Sequence, residues 1–228
     1  MEDKLVKSIP DDKQESNFPK GNASVEVLGR EIMYQGFFAI EKIQLRHRLF
    51  NGSWSSPLTR ELFVRGNAVA AVIYDPVHHL IGLVEQFRIG LIGDSTHPWC
   101  KEVVAGMAEK GETAEQVMRR ELQEEADVTP TALCRICDYY SSPGGTNEKL
   151  TLYCAIADLS EAGGVYGLAE EDEDIRFTAY HEEEVLLNLY NGDYGNAATL
   201  ICLQWLAANK QHLTMSGYCV SDHQVSGK

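Results

Sequence analysis

The sequence GMAEKGETAEQVMRRELQEEADV, residues 106–128, carries the strongest structural signal of the chain, because its second half predicts an amphipathic helix. The helix is expected over Thr113–Asp127, where Thr113 and Gln116 form a capping box at its start. At about 100° per residue, one face of the helix collects the apolar side chains of Ala114, Val117, Met118 and Leu122. We expect this face to pack on the core.

Three glutamates of the same helix lie on or beside its apolar face. Glu121 and Glu125 fall inside the apolar arc, and Glu124 lies at its edge. Buried carboxylates that lie close together repel each other and lose hydration, at a cost on the order of several kcal/mol per ion. Mg²⁺ and Mn²⁺ prefer such oxygen ligands and retain waters for a phosphate substrate. The helix therefore favours a divalent metal site, and the alternative is a solvated acidic face paired with Arg119 and Arg120.

Segments on both sides of the helix predict a sheet. Continuous apolar runs at Ala68–Tyr74 and Leu80–Val84 indicate strands that are covered on both faces. Further strands are predicted at Glu102–Ala105, Leu133–Tyr140, Leu150–Ala157 and Ile175–Tyr180. Two more helices are predicted at Glu182–Asn191 and Ala197–Asn209. We therefore expect an α+β fold with a mixed sheet between helices.

The region before the first apolar run predicts a separate small β lobe. Val25–Phe50 alternates and predicts two or three strands, Asn51-Gly52 is a hairpin turn signal, and Leu58–Val64 is the returning strand. The resulting boundaries are a flexible arm at 1–22, an N-terminal β lobe at 23–66, the main domain at 67–212 and a flexible tail at 213–228.

Composition and charge limit the class of protein. The chain has 228 residues, with 20 Lys and Arg against 34 Asp and Glu, a formal net charge of −14. Such a surface repels nucleic acid and anionic lipid, so we expect neither as a partner. An anionic phosphate substrate would need a local cation to cancel the field. No apolar run approaches the roughly 18 residues of a membrane span, and the first residues are charged, so a cytoplasmic protein is expected.

The cysteines and histidines show no complete ligand set. Cys134 and Cys137 form a CxxC, but no second CxxC or spaced His pair accompanies it. Both lie in a predicted strand, where they should point to opposite faces as reduced structural thiols. The seven histidines are interpreted as structural or surface residues.

The spacing of residues 106–128 resembles the box that defines the Nudix family. In that box a glycine is followed by five residues, a glutamate, seven residues and then Arg-Glu-aliphatic-X-Glu-Glu-X-Gly-aliphatic. Gly106, Glu112 and Arg120–Val128 match it, except that Asp127 stands where the family has Gly. That Gly ends the helix in a left-handed turn, which Asp tolerates better than most residues.

Other stretches look like the ADP-ribose pyrophosphatase branch of this family, and the likeness covers roughly residues 25–210. They are Gly36–Phe38, His47–Gly52, Leu83–Arg88, Val103–Met107, Ser142–Thr146 and Gly167–Ile175. The resemblance implies a Nudix-type α/β/α sandwich and a homodimer with exchanged N-terminal lobes. It also implies hydrolysis of the pyrophosphate bond of ADP-ribose to AMP and ribose 5-phosphate, with two or three Mg²⁺ ions or Mn²⁺ in their place.

The resemblance also implies roles for individual residues. The implied metal ligands are the carbonyl of Ala105 and the carboxylates of Glu121, Glu125 and Glu173. Glu124 would be a further ligand or an acceptor behind the ligands, and Arg120 would pair with Glu112 to orient the loop. Glu171 would be the general base, although the roles of Glu171 and Glu173 could be exchanged. Without the resemblance, their acidic loop reads as a solvated charge run.

Substrate contacts are less specific in the sequence. Arg88 ends a predicted strand and could contact the diphosphate, and Phe37 could stack on adenine; the alternatives are a surface Arg and a core Phe. The remaining candidate contacts are Arg60, Met107, Ser142 and Glu148. Two other functions stay open: a Nudix hydrolase of another nucleoside diphosphate sugar or dinucleotide, and a non-catalytic Nudix sensor. A sensor would be expected to lack some glutamates of the box.

Overall fold

The computed structural model describes residues 24–93, 97–108, 111–168, 172–215 and 217–218. In chain order the strands are β1 Val25–Gln35, β2 Ala39–His47, β3 Leu58–Val64, β4 Asn67–Asp75, β5 Leu80–Phe87, β6 Trp99–Glu102, β7 Val104–Met107, β8 Ala132–Tyr140, β9 Lys149–Ile156, β10 Gly163–Tyr166, β11 Ile175–His181, β12 Leu213–Thr214 and β13 Gly217–Tyr218. The helices are α1 Ala114–Ala126, α2 Glu182–Asn191 and α3 Ala197–Asn209. Within these segments, every helix is too short or too polar to cross a bilayer.

The central sheet has eight strands and is mixed, as predicted. Its order is β10-β11-β5-β4-β9-β8, with β6 paired to β5 and β7 paired to β4. The pairing of β4 with β9 is parallel, whereas its pairings with β5 and β7 are antiparallel. Residues of β4 alternate between two buried clusters: Val69 packs with α1 on one face, and Ala70 packs with α2 and α3 on the other. The expected α+β fold with helices on both faces of the sheet is confirmed.

Helix α1 follows its sequence signals closely. Thr113 caps it and exchanges the predicted hydrogen bonds with Gln116. The apolar face is buried, with Val117, Met118 and Leu122 fully inaccessible. Asp127 ends the helix in the left-handed region, at φ 53° and ψ 38°. The predicted tolerance of Asp at the glycine position of the box is therefore confirmed in its backbone conformation.

The N-terminal strands form a separate three-stranded antiparallel sheet in the order β1-β2-β3. It is joined to the main domain through β3, where Phe63 N–H donates to the carbonyl of Gly145 at 2.8 Å and Asn147 N–H donates to the carbonyl of Phe63 at 3.3 Å. Much of β1 is exposed although it carries apolar side chains such as Ile32, Met33 and Tyr34.

Two local predictions are corrected by the structure. Cys134 and Cys137 both pack against the α3-facing cluster, because a bulge between Arg135 and Cys137 shifts the register of β8. The prediction that they point to opposite faces is wrong. The predicted flexible tail from residue 213 also begins with a hairpin, β12–β13, in which Leu213 is buried. The predicted arm at 1–22 and the tail after residue 218 lie outside the described residues.

Candidate metal and phosphate site

The carboxylates of α1 lie against strand β7. A Cβ atom on Gly106 would overlap the carboxyl group of Glu121, so glycine is required for this close approach. The neighbouring residue Ala105 donates its N–H to Glu125 Oε2 at 3.3 Å. The side chains of Glu121 and Glu125 are therefore held between the helix and the strand, beside the backbone of Ala105.

Both glutamates are buried and incompletely compensated. Burial, with the charges of Glu121 and Glu173 adding to it, raises the pKa of Glu125 to about 8, and the N–H of Ala105 and the charge of Arg88 oppose the rise. Burial also raises the pKa of Glu121 to about 7, although Arg120 opposes it. The solvated-face alternative fails, since Glu125 is 3% exposed and Glu121 is 9% exposed. Neighbouring buried carboxylates of this kind fit a divalent cation.

Arg120 supports this group from the side of α1. It lies 2.7 Å from Glu124 Oε2, 3.0 Å from Glu121 Oε1 and 3.5 Å from Glu112 Oε1. Burial alone would lower its pKa, but the charge of Glu121 and the hydrogen bonds to Glu124 and Glu112 raise it above the usual value. The predicted contact between Arg120 and Glu112 is present, and Arg120 also contacts Glu121 and Glu124 of α1.

The acidic loop returns to the same place. Glu173 lies within electrostatic range of Glu121 and Glu125, since its charge raises the pKa of both. Glu173 Oε2 accepts the N–H of Leu168 at 3.1 Å, and Gly167 N–H donates to the carbonyl of Glu124 at 3.3 Å. The start and end of the loop are therefore tied to each other and to α1. Glu171 lies outside the described residues.

Arg88, the residue that follows strand β5, brings a positive charge to this region. Its Nε donates to Glu102 Oε1 at 2.6 Å, and Asn196 Nδ2 donates to Glu102 Oε2 at 2.8 Å. The charge of Arg88 lowers the pKa of Glu125, which indicates that Arg88 lies near the carboxylates of α1. Glu102 is 1% exposed, and its burial raises its pKa against the opposing charge of Arg88. Sequence reasoning missed Glu102, although a glutamate directly before the apolar pair Val103–Val104 was a usable signal.

A second group forms where the N-terminal sheet meets the main domain. Arg65 Nε lies 3.0 Å from Glu148 Oε1, and the Arg65 guanidinium lies 5.3 Å from the ring centre of Phe38. Phe37 packs edge-on against Phe38 at 4.8 Å and is 82% exposed, which removes the core alternative for Phe37. Phe37 and Glu148 are therefore linked through Phe38 and Arg65.

The other predicted substrate contacts have local partners. Arg60 Nη1 donates to the carbonyl of the preceding Thr59, and the carbonyl of Ser142 accepts two N–H groups of its own turn. Met107 ends β7 and lies near Gly66. The contacts in the described residues link Phe37 to Arg65 and Glu148 through Phe38. Ser142 lies beside this group, because Ser141 N–H donates to the carbonyl of Glu148 at 3.2 Å, whereas the Arg60 guanidinium contacts Thr59 instead.

One compact set of potential metal ligands lies elsewhere. Among the described residues, Asp75, His78 and Asp158 form the group of three whose ligand atoms all lie within 4.8 Å of one another. Their oxygens are largely engaged already: Asp75 Oδ1 accepts the N–H groups of Val77 and His78, and Asp75 Oδ2 accepts from Leu159 N–H and the His78 ring. A cation there would have to displace these donors.

Comparisons with known proteins fit the geometry of the α1 site. A model of the NUDIX domain matches residues 64–199. The ADP-ribose pyrophosphatase of Escherichia coli K12 is 41% identical over 193 residues, which is 85% of this chain and 92% of the relative. That of Haemophilus influenzae is 40% identical over 84% of this chain and 90% of its own length.

More distant relatives extend the range. The GDP-mannose pyrophosphatase of Cronobacter sakazakii is 28% identical over 80% of this chain and 95% of its own length. A solved structure described as an ADP compounds hydrolase superposes with a TM-score of 0.60 at 19% identity, covering 83% of this chain and 97% of that one. This last likeness concerns the fold alone.

Proposed function

Because the chain belongs to the Nudix family, we propose that it is a metal-dependent hydrolase that cleaves the pyrophosphate bond of ADP-ribose to AMP and ribose 5-phosphate. The observation that carries the proposal is the pair of buried glutamates, Glu121 and Glu125, packed against β7 without enough positive charge to balance them. The high identity to two relatives named ADP-ribose pyrophosphatase favours ADP-ribose as the substrate.

The residues of the site fit Mg²⁺. We propose that Glu121, Glu125 and Glu173 with the carbonyl of Ala105 hold two or three ions, for which Mn²⁺ can substitute. When bound, the ions would lower the pKa of the attacking water and stabilise the negative charge that develops on the leaving phosphate. Support comes from the electrostatic proximity of Glu173 to both α1 glutamates, which favours the ligand role for Glu173.

The chain's own groups position the reaction. Arg120, held by Glu112 and Glu124, keeps the α1 carboxylates in place. Glu171 is our candidate for the general base that takes a proton from water during in-line attack on phosphorus. Glu171→Gln should lower kcat by on the order of a hundredfold or more and leave KM nearly unchanged. Steady-state kinetics checks this, and a rise in KM alone would instead assign Glu171 to binding.

We propose that the residues where the N-terminal sheet meets the main domain recognise the substrate. The exposed ring of Phe37 offers a face for adenine, and Arg65 and Glu148, which are linked to it through Phe38, would bind polar groups of the nucleoside. Arg88 would contact the diphosphate, since it already lies near Glu125. Met107 and Ser142 remain candidates at the edges, and we assign Arg60 to a site completed by a second subunit.

We also propose a homodimer formed through the N-terminal lobe, residues 23–66. Its apolar side chains at Ile32, Tyr34 and Phe50 are between 60% and 114% exposed, and a three-stranded sheet is too small to bury them alone. Exchange of this lobe between subunits would cover them, and residues 67–212 would form the hydrolase domain. A cytoplasmic location remains a prediction from the sequence.

A substrate panel tests the activity. Purified protein is assayed with Mg²⁺ and with EDTA on ADP-ribose, ADP-glucose, GDP-mannose, NADH and a diadenosine polyphosphate. We expect metal-dependent release of AMP that is fastest with ADP-ribose. The second candidate, hydrolysis of another nucleotide sugar, is favoured by the relative named GDP-mannose pyrophosphatase and would appear as a different preferred substrate. No cleavage of any compound would overturn the enzymatic proposal in favour of a sensor.

A further inference from the structure

Arg88 donates a hydrogen bond to Glu102, a buried carboxylate to which the proposed reaction assigns no role. Glu102 lies at the end of β6 and is 1% exposed. Its Oε1 accepts Arg88 Nε at 2.6 Å, and its Oε2 accepts Asn196 Nδ2 at 2.8 Å. Both oxygens are therefore engaged, which fixes the carboxylate plane and with it the position of the guanidinium.

The anchor behind Glu102 is itself rigid. Asn196 is the N-cap of α3, where its Oδ1 accepts the N–H of Thr199 at 3.1 Å. Thr199 is fully buried, and its hydroxyl accepts the N–H of Val103, the residue after Glu102, at 3.1 Å. Two contacts therefore lock the start of α3 to the end of β6, so that Glu102 is supported from both its side chain and its backbone.

The Arg88 guanidinium is held beside the stretch of chain that carries the proposed metal ligands. Glu102 is followed, after Val103 and Val104, by Ala105, whose N–H donates to Glu125 Oε2 at 3.3 Å. Among the described residues, the hydrogen bond to Glu102 uses Nε, so Nη1 and Nη2 remain for the oxygens of a bound anion. An Arg fixed at Nε loses less freedom when it binds phosphate, because its side chain is already ordered.

We propose that Glu102 is a positioning residue, which holds Arg88 toward the diphosphate of the substrate and is itself anchored by the N-cap Asn196 of α3. The inference rests on the proposed function, because it requires a diphosphate substrate. Glu102 acts through Arg88 and does not touch the substrate. Loss of Glu102 therefore affects substrate binding and turnover only as long as Arg88 is present.

A double-mutant cycle tests this dependence. The variants are Glu102→Gln, Arg88→Ala and the combination, assayed for kcat and KM with ADP-ribose. We expect Glu102→Gln to lower kcat/KM by roughly 10- to 100-fold in the native background and by less than about twofold in the Arg88→Ala background. Equal losses in both backgrounds would overturn the proposal and make Glu102 a structural residue.

Two further variants control for stability. Asn196→Ser keeps a good N-cap for α3 but removes the amide donor to Glu102, so kcat/KM should fall several-fold while the melting temperature changes little. Glu85→Gln breaks the ion pair with Arg176 at 3.0 Å on the same strand β5, and its kcat/KM should equal that of the native protein. If Asn196→Ser retains native kcat/KM, the anchoring part of the proposal is wrong.

Failure of this inference differs from failure of the proposed function. Native protein that cleaves no member of the substrate panel contradicts the function, whatever the variants do. If the native protein cleaves another diphosphate compound, the same cycle is run on that compound. Native protein that is active while Glu102→Gln matches it contradicts only the role of Glu102.

Discussion

Two buried carboxylate sites in this protein differ in how their charge is balanced. Asp75 is fully buried, and burial favours its neutral form, yet the N–H groups of Leu159, His78 and Val77 and the His78 ring lower its pKa below the usual value. Glu125 is 3% exposed, and burial with the charge of Glu121 raises its pKa to about 8. Two carboxylates that are both nearly inaccessible to solvent therefore have pKa values shifted in opposite directions.

The difference lies in the number of donors that the chain supplies. Asp75 accepts four hydrogen bonds of 2.8 to 3.0 Å. Within the described part of the chain, Glu125 accepts one backbone N–H, from Ala105 at 3.3 Å, and the charges of Glu121 and Glu173 act on it. A buried anion that the chain fully satisfies stabilises the fold, whereas one left unbalanced takes up a proton or binds a cation.

The largest expected effect follows from neutralising the unbalanced site. Glu125→Gln keeps an oxygen for the N–H of Ala105 but removes the anionic ligand. Hydrolysis with Mg²⁺ should fall by on the order of a thousandfold or more, because the metal no longer binds in its catalytic position. In EDTA the melting temperature should equal or exceed that of the native protein. Near-native activity, or a large loss of stability, would remove the distinction between the two sites.

Neutralising the balanced site should have the opposite effect. In Asp75→Asn one oxygen becomes an NH₂ group, which faces N–H donors such as those of Leu159 and His78. We expect the free energy of unfolding to fall by about 2–4 kcal/mol, because buried donors are left unpaired. Urea denaturation measures this loss, and the folded variant should retain kcat/KM near the native value. Native stability in this variant would show that Asp75 is not a structural anchor.

The sequence predicted the unbalanced site better than the balanced one. Helical periodicity places Glu121 and Glu125 on the buried face of α1, and the capping box and the left-handed turn at Asp127 are equally local signals. One of the four hydrogen bonds of Asp75 comes from Leu159, 84 residues away, and one of those of Glu102 comes from Asn196, 94 residues away. Such pairs arise from the order of strands and the placement of α3, which no local pattern encodes.

The register of strand β8 was a second feature that could not be predicted from the sequence. Alternation predicts opposite faces for Cys134 and Cys137, but one extra residue in β8 reverses the alternation between them. A bulge has no composition of its own here, so it could be found only in the folded sheet. In contrast, the role of Phe37 in substrate binding was predicted from the resemblance. Its exposure depends on the lack of a covering element in the described chain.

The smallest expected effect concerns His78, whose ring contacts the carboxylate of Asp75. The hydrogen bond to Asp75 raises the pKa of His78, although burial opposes the rise. His78 therefore stabilises the fold fully below its unfolded pKa near 6.5, and this contribution is lost as pH rises through the higher folded pKa. His78→Gln should lower the melting temperature more at about pH 5.5 than at about pH 8.5. An equal difference at both pH values would contradict the charge pairing.

The most direct test of the account is a titration of Mn²⁺ into native protein, Asp75→Asn and Glu125→Gln, with the free ion followed by electron paramagnetic resonance. If the unbalanced carboxylates of α1 hold the metal, native protein and Asp75→Asn bind Mn²⁺ with equal affinity and Glu125→Gln loses the site. Binding that survives in Glu125→Gln and disappears in Asp75→Asn would place the metal at Asp75, His78 and Asp158 and contradict the account.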